Sequence, residues 1–312
     1  MSANLRLPAL RRFAVAITVF NVLGHTPLGF EQSLAQPLAA LALAYFMEIA
    51  LELIDSKTKN RPNRLQGGPV AVINFLLPGH ITALAVSMFL YSNERLFPIL
   101  FATAVAVGSK HIFKAQIGNV KRHFMNPSNI GISTTLILFP WVGIAPPYHF
   151  VENISGVADW ILPALIIISG TFLNLKFTKK IPLIVGWVTA FAFQAVFRSV
   201  LFGTPLLPPL LPMTGVAFIL FTFYMVSDPA TTPHKKFDQF LFGVAVAVAY
   251  GFLLMFHVVF GLFFSLAIVC SLRGIRHYII NWRAGRELEF STIETATALT
   301  RSATSAALNR LE

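Results

Sequence analysis

The chain has 312 residues, of which 55% are hydrophobic and 12% are charged, and its formal net charge is +11. With a mean hydropathy of +0.69, it lies outside the range of soluble globular domains and inside that of polytopic membrane proteins. Its single cysteine, Cys270, excludes an intrachain disulfide and any cysteine-held iron–sulfur or zinc centre within the chain. We expect Cys270 to serve packing, and we predict no metal site.

Ten apolar segments approach the length of about 20 residues that a helix needs to cross about 30 Å of hydrocarbon. We predict an all-α polytopic membrane protein with about ten transmembrane helices. The spans are expected near residues 11–28, 35–54, 69–91, 96–113, 126–144, 157–175, 181–201, 208–226, 237–254 and 255–273. Residues 274–312 follow the membrane domain of residues 1–273 as a tail, which is either an amphipathic or interfacial helix or a frayed terminus.

The basic residues are strongly biased to one side of this arrangement. Of the 24 Lys and Arg residues, all except Arg95 and Arg198 fall in the termini or in alternate loops on the same side. By the positive-inside rule, both termini then lie in the cytoplasm, and the location is the cytoplasmic membrane. The charge therefore indicates topology and contact with the lipid bilayer rather than nucleic-acid binding.

Ten spans divide into two sets of five, which would enter the membrane from opposite sides as inverted repeats. Leu76-Leu-Pro-Gly-His80 in the third span weakly resembles Leu210-Leu-Pro-Met-Thr-Gly215 in the eighth. We predict repeat one at about residues 10–144 and repeat two at about 157–273, with broken helices in the third and eighth spans. The site would lie between the two halves.

A polar stretch opens the fifth span, with the sequence His123-Phe-Met-Asn126-Pro127-Ser128-Asn129-Ile-Gly131. Pro127 suits the first turn of a helix, and Asn126 can cap its free amides. The other interpretation is functional: amides around Ser128 and Asn129, at the positive end of the helix dipole, receive an anionic or carbonyl group. A flavin ring, a phosphate or a quinone oxygen would suit. Both interpretations remain open.

A second polar stretch closes the eighth span, with the sequence Ser227-Asp228-Pro229-Ala-Thr231-Thr232-Pro233. Pro229 disfavours helix at Asp228. Asp228 and Thr231 can form a local cap for the next helix, or Ser227, Asp228 and Thr231 can bind a polar ring system. Both stretches lie on the basic side, so they share one face of the membrane.

Acidic and imidazole side chains within the spans are further candidates. Glu48 on the second span is the candidate for an ion or proton pathway, because intramembrane carboxylates usually face a cavity or a partner. Glu52 and Asp55 follow on the same face and are expected to be solvated near the interface. The histidines at 25, 80 and 257 could ligate haem, although no spacing selects a pair and structural hydrogen bonds are commoner.

Two motifs resemble those of a known family. Phe124-Met-Asn126-Pro127-Ser-Asn-Ile-Gly131, followed by Leu136-Ile-Leu-Phe139-Pro140, resembles the Phe-Asn-Pro-Ala-x-x-Gly and Phe-Pro element of the flavin-carrying membrane protein of the Rnf electron-transport complex. It is also similar to the homologous membrane protein of the sodium-translocating NADH:quinone oxidoreductase. Phe223-Tyr-Met-Val-Ser227-Asp228-Pro229-Ala-Thr-Thr232 is similar to the Ala-Thr-Asp-Pro-Val-Ser element of that family. Order and spacing match over roughly residues 10 to 273.

The resemblance implies a fold like that of urea transporters, flavin binding and electron transfer coupled to a membrane quinone or an ion gradient. It assigns cofactor binding to the two polar stretches, at the residues Asn126, Pro127, Ser128, Asn129, Gly131, Ser227, Asp228, Pro229, Thr231 and Thr232, and an acid to Glu48. One departure matters: residues 141–158 lack the Ser-Gly-Ala-Thr-type motif that carries covalent flavin in the family. We therefore expect FMN or riboflavin to be bound noncovalently.

Two functions follow from these observations. In the first, the protein relays electrons from a cytoplasmic donor, through the bound flavin, to a quinone or a partner flavoprotein, as a possible oxidoreductase subunit. In the second, the same fold is a transporter or channel for a small molecule or a flavin. Partner redox subunits or copies of the same chain are the expected partners.

Overall fold

The structure is a computed structural model of a helical protein. It describes the backbone of residues 3–118, 120–146, 150, 152–203 and 205–308, and the side chains between residues 7 and 284 within those ranges. In the first half of the chain the helices are α1 (Ala3–His25), α2 (Ala35–Thr58), α3 (Pro69–Phe89), α4 (Leu96–Ile112) and α5 (Pro127–Leu138). In the second half they are α6 (Ile161–Leu173), α7 (Ile181–Phe202), α8 (Leu207–Leu210), α9 (Val216–Leu220), α10 (Lys236–Met255) and α11 (Gly261–Leu308).

Short irregular turns extend several of these helices. A 3-10 turn at Gly156–Trp160 leads into α6, and a π turn at Asn174–Thr178 ends it. A 3-10 turn at Leu211–Thr214 follows α8, a π turn at Phe221–Met225 follows α9, and a further 3-10 turn lies at Arg64–Gly67 before α3.

Two small antiparallel pairs of strands tie the loops together. Strand β1 (Leu90–Tyr91) pairs with β4 (Gly143–Ile144), and β2 (Lys114–Ile117) pairs with β3 (Val120–His123). The second pair is a hairpin in which Lys114 lies opposite His123. The hairpin was not predicted from the sequence.

The described residues include seven helices long and apolar enough to cross a membrane, or eight if the bent pair in the second half is one span. A multi-pass membrane protein is therefore confirmed. Helix α4 has 17 residues, and α5 has 12. At 1.5 Å per residue α5 measures about 18 Å, which is too short to cross the hydrocarbon alone. Ten transmembrane helices remain a prediction.

One of the two expected helix breaks is present. Leu207–Thr214 and Val216–Met225 meet at an angle of 66° at Gly215, so the prediction for the eighth span is confirmed. The prediction for the third span is wrong, because α3 is helical throughout with Pro78 inside it. Proline removes a single helical hydrogen bond, and neighbouring helices make such a loss tolerable in a membrane span. Helix α3 packs against α1, α2, α4 and α5.

The last helix is longer than a membrane span. Helix α11 has 48 residues and passes the predicted boundary at residue 273 without interruption. Its membrane-length segment is Gly261–Ala284. The predicted tail therefore begins inside a continuous helix, and the side chains beyond residue 284 lie outside the described residues.

Close packing positions helix α5, which carries the first polar stretch, against α4. We call α5 the motif helix. A Cβ atom on Gly131 would lie 2.3 Å from the carbonyl oxygen of Ala102 and 2.9 Å from the Cβ of Ala106. Because real side chains do not approach a backbone oxygen so closely, only glycine allows the two helices to cross at this distance. Gly131 thereby fixes the place of the helix that carries the first polar stretch.

Candidate functional site on the motif helix

The first polar stretch is bonded to the residues that lead into the second. Asn126 is 5% exposed, and its Nδ2 donates a hydrogen bond of 3.1 Å to the carbonyl of Met225, two residues before Ser227. Its Oδ1 accepts from the amide of Asn129 at 3.0 Å and from the hydroxyl of Ser128 at 3.0 Å. Helix α5 begins at Pro127. The predicted capping by Asn126 is confirmed, and the same side chain joins the two motifs.

The second stretch forms a turn whose polar groups bond to one another. The Asp228 carboxylate accepts from the amide of Ala230 at 3.1 Å and from the hydroxyl of Thr231 at 2.8 Å. Ser227 donates to the carbonyl of Phe223, and Thr232 donates to that of Asp228. The predicted local Asp228–Thr231 interaction is confirmed. It does not cap the next helix, which begins later at Lys236.

Basic side chains from other elements hold this turn. Lys180, 1% exposed, donates from Nζ to the carbonyl of Pro233 at 2.5 Å, and Arg273 donates to the carbonyl of Thr231. Burial lowers the pKa of Lys180 to about 8, while the Asp228 carboxylate acts in the opposite direction. Burial and nearby cations also lower the pKa of His234. Because a buried charge is costly without a partner, Lys180 and Arg273 depend on the carbonyl groups and the carboxylate of this turn.

These contacts limit how a flavin could bind at the predicted residues. A ring held between the two stretches would have to break the hydrogen bond from Asn126 to Met225. Ser227, Thr231 and Thr232 are each at most 2% exposed and already donate hydrogen bonds within the chain. A flavin between the motifs does not fit this arrangement. Flavin binding at these residues remains a prediction that the geometry does not support.

A groove lies beside the motif helix and opens towards lipid. It has a volume of about 500 Å³ and is lined by α5, α10 and α11, within the range of small-molecule sites. Its walls are mostly apolar, and Ile137 and Leu272 are 66% and 61% exposed. Three hydroxyl groups also line it, those of Ser133, Thr134 and Ser271. We call this cavity the α5–α11 groove.

Two buried polar atoms on α5 lack hydrogen-bond partners among the residues that the structure describes. They are the Oγ of Ser133 and the Oδ1 of Asn129, in side chains that are 2% and 1% exposed. The Nδ2 of Asn129 donates to the carbonyl of Phe263 at 3.0 Å, which fixes the orientation of the amide. The two residues lie four apart, on the same face of the helix. A buried polar atom without a partner costs about 1–3 kcal/mol.

The acidic residues of α2 form ion pairs. The Oε1 of Glu48 lies 2.9 Å from the Nζ of Lys110 on α4, and both side chains are 11% exposed. Glu52 accepts hydrogen bonds of 2.6 and 2.7 Å from both terminal nitrogens of Arg61. The expectation that Glu52 is merely solvated is wrong, since it is 5% exposed. Asp55 also binds Arg61. An ion pathway through Glu48 remains a prediction.

The histidines make structural contacts. His25 bonds to the carbonyl of Asn21, and His80 bonds to Tyr45 and Thr18. Within the described part of the chain, no group of three or more His, Cys, Asp or Glu side chains is arranged to hold a metal ion. Cys270 is buried, in agreement with its expected packing function.

The sequence analysis missed Ser133 and Lys110. The sequence could have indicated Ser133 as a site residue, because it lies one helical turn after Asn129 and on the same face of the helix. Lys110 stands in the last turn of α4, where a basic residue has a common structural explanation, so its pairing with Glu48 is visible only in the structure.

The fold and the groove together define a multi-pass helical membrane protein with a ligand-sized groove open to lipid. Comparison with protein-family models and with curated proteins finds no match for the chain.

Proposed function

We propose that the protein binds a membrane quinone in the α5–α11 groove and acts as the quinone-side component of an electron-transfer system. The observation that carries this proposal is the buried hydroxyl of Ser133, which lines the groove and has no hydrogen-bond partner among the described residues. A lipid-facing groove gives access to a ligand dissolved in the bilayer. The unpartnered hydroxyl gives that ligand a reason to bind there.

The hydroxyl of Ser133 can pair with either redox form of the ligand. It can donate to a quinone carbonyl, and its oxygen can accept from a quinol hydroxyl. The amide oxygen of Asn129, one helical turn earlier, is also unpartnered, but Asn129 does not belong to the lining of the groove. Electrons would come from a redox partner on the basic side of the membrane.

The test measures binding of a short-chain ubiquinone to the purified protein in detergent micelles. Ser133→Ala removes the free hydroxyl and should weaken quinone binding by about twofold to tenfold, the value of one neutral hydrogen bond. Ser87→Ala is the matched control. Ser87 is 1% exposed on α3, and its hydroxyl already donates to the carbonyl of Leu84. Wild-type protein that does not bind the quinone, or equal affinities in the two variants, would refute the proposal.

The quinone proposal does not require a flavin in the groove. A flavin would take part only as a cofactor that passes electrons to the quinone. Its presence is tested separately by the visible spectrum of the purified protein before and after reduction with dithionite. Flavin bands that bleach would support the predicted noncovalent FMN or riboflavin. A colourless preparation that binds quinone would leave the quinone site in place and contradict a flavin bound to this chain.

The second candidate function is transport of a small molecule or a flavin, and the bend at Gly215 favours it. Broken helices line the substrate path in many secondary transporters, and the second half of this chain contains one with a bend of 66°. Riboflavin uptake into proteoliposomes tests this function. Uptake without quinone binding would favour transport over electron transfer.

The packing supports the predicted inverted repeat. In the first half α1 packs on α3, α2 on α4 and α4 on α5. In the second half α6 packs on α9, α7 on α10 and α10 on α11, and the halves meet through α1 with α6 and α5 with α11. These three pairs thus have counterparts in each set of five, with the broken segment counted as one member, whereas α3 also packs on α4 and α5. We propose inverted repeats with both termini in the cytoplasm, as the distribution of basic residues suggests.

A further inference from the structure

A second groove, independent of the quinone proposal, lies between α1, α2 and α3. It has a volume of about 700 Å³. Four exposed apolar side chains line it, and they are between 46% and 64% exposed: Val15, Val19, Val70 and Ile73. Such residues on spanning helices face lipid. This cavity, the α1–α3 groove, therefore opens sideways into the bilayer.

The inner part of this groove contains a chain of hydrogen bonds. The hydroxyl of Thr18 lies 2.7 Å from the carbonyl of Ala14 and 2.7 Å from Nε2 of His80. When its single proton goes to the carbonyl, Nε2 of His80 is the donor to its oxygen. With the proton of the neutral imidazole on Nε2, Nδ1 is an acceptor. The hydroxyl of Tyr45 donates to this Nδ1 at 2.6 Å.

This chain leaves the inner end without a free hydrogen-bond donor. The hydroxyl protons of Tyr45 and Thr18 and the ring proton of His80 all have acceptors within the protein. A quinone carbonyl would find no donor there, unlike in the α5–α11 groove with its free Ser133 hydroxyl. The inner end therefore suits hydrocarbon.

The outer end presents one cation. Arg11 is exposed, and its Nε donates to Oδ1 of Asn74 at 3.0 Å, which orients the guanidinium at the groove. Its two terminal nitrogens have no hydrogen-bond acceptor among the described residues. They form a fork that matches a phosphate. The adjacent Arg12 is directed elsewhere, with its guanidinium 4.3 Å from the ring centre of Phe177.

The cation and the inner end of the groove lie some distance apart along α1. Thr18 is seven positions after Arg11, which corresponds to about 10 Å along the helix. A ligand that fills the groove therefore needs an anionic group at one end and a hydrocarbon body that extends past this distance. Both parts occur together in the lipids of the surrounding bilayer.

We propose that the α1–α3 groove is a binding site for an anionic phospholipid. The phosphate binds the guanidinium of Arg11, which Asn74 holds in place, and one acyl chain lies along the groove towards Tyr45 and His80. Arg11 is one of the basic residues that the sequence assigned to topology and to general contact with the bilayer. This site gives it a specific ligand.

Native mass spectrometry of the protein released from nanodiscs tests the proposal. The nanodiscs contain equal amounts of phosphatidylglycerol and phosphatidylcholine. Wild-type protein should retain phosphatidylglycerol in preference, and Arg11→Gln should reduce that preference by about fivefold, as expected for one basic residue near a membrane surface. Arg12→Gln is the matched control and should retain the preference.

Equal retention of the two lipids by wild-type protein would overturn the proposal, as would equal losses in the two variants. Because a variant could fold poorly, Leu77→Trp provides a second approach, since Leu77 lines the groove and the indole ring should displace the acyl chain. The Trp variant should lose bound phosphatidylglycerol while Arg11 is intact. Bound phosphatidylglycerol that the Trp variant retains would refute the site. Displacement of the lipid by short-chain ubiquinone would identify the groove as a quinone site instead.

Discussion

The buried ion pair between Glu48 and Lys110 allows the change in the free energy of unfolding on substitution to be predicted. Its atoms lie 2.9 Å apart, and each side chain is 11% exposed. Removal of one partner leaves the other charge buried without compensation, which costs about 3–5 kcal/mol. Glu48→Gln and Lys110→Met should therefore each lower the free energy of unfolding by an amount in that range.

The double variant should behave differently. With both charges replaced, no buried charge remains, and only the smaller cost of a buried amide without a partner is left. Glu48→Gln combined with Lys110→Met should therefore lie within about 1–3 kcal/mol of wild type in stability. The two single effects should therefore fail to add, and the double-mutant cycle should give a coupling energy of at least about 3 kcal/mol. Unfolding by titration of the detergent micelles with SDS, followed by helical circular dichroism, measures these differences.

An exposed pair on the same helix provides the control. Lys59 and Asp55 lie 2.5 Å apart, but the Lys59 side chain is 61% exposed, and exposed pairs contribute about 0–1 kcal/mol. Lys59→Met should therefore change stability by less than about 1 kcal/mol. Single effects of Glu48→Gln and Lys110→Met that are equally small, or that simply add in the double variant, would refute the reasoning.

Three further predictions concern the motif region. Because burial lowers the pKa of Lys180 from 10.5 to about 8, the unfolded chain binds more protons between these values; stability should rise by up to about 3 kcal/mol from pH 8 to 10.5. Lys180→Gln should abolish this rise in SDS-unfolding curves, and Lys179→Gln should not. Gly131→Ala should destabilise by about 1–3 kcal/mol through overpacking, whereas Gly108→Ala, with open space around it, should not. Asn126→Ala should cost about 1–3 kcal/mol, measured in the same way, by loss of a helix cap and of the bond between motifs.

Each of these predictions has a contradicting outcome. A pH dependence that is unchanged in Lys180→Gln would show that another group titrates. Equal stabilities of the Gly131 and Gly108 variants would mean that α5 can move away from α4 at little cost. An Asn126→Ala variant as stable as wild type would contradict its assignment as the connection between the two stretches.

Much of the local structure follows from the sequence because its causes are local. Asn126 before Pro127 predicts a helix start, and the α5 cap has that geometry. Gly215 after Pro212 marks the bend in the eighth span, since both residues disfavour a continuing helix. Pro78 gave the opposite result in α3, because the surrounding helices and not the proline determine whether a span stays continuous.

The site could not be predicted in the same way. Sixty-two residues separate Glu48 from Lys110, and Arg61 returns from a loop to bind Glu52, so the partners become visible only when the helices are packed. The unpartnered state of Ser133 depends on every neighbour around it. The sequence marks the polar residues of this chain, but tertiary contacts decide which of them remain free for a ligand.

The uninterrupted course of α11 gives the protein a mechanical property. Of its 48 residues, 24 belong to the membrane-length segment Gly261–Ala284, so the helix continues beyond it for about 36 Å. Arg273, which lies inside that membrane-length segment, donates to the carbonyl of Thr231. A tilt of roughly 10° at the membrane would move the far end by about 6 Å. Because the helix is unbroken, a displacement of its far end would be transmitted to the segment whose Arg273 binds the turn of the second stretch.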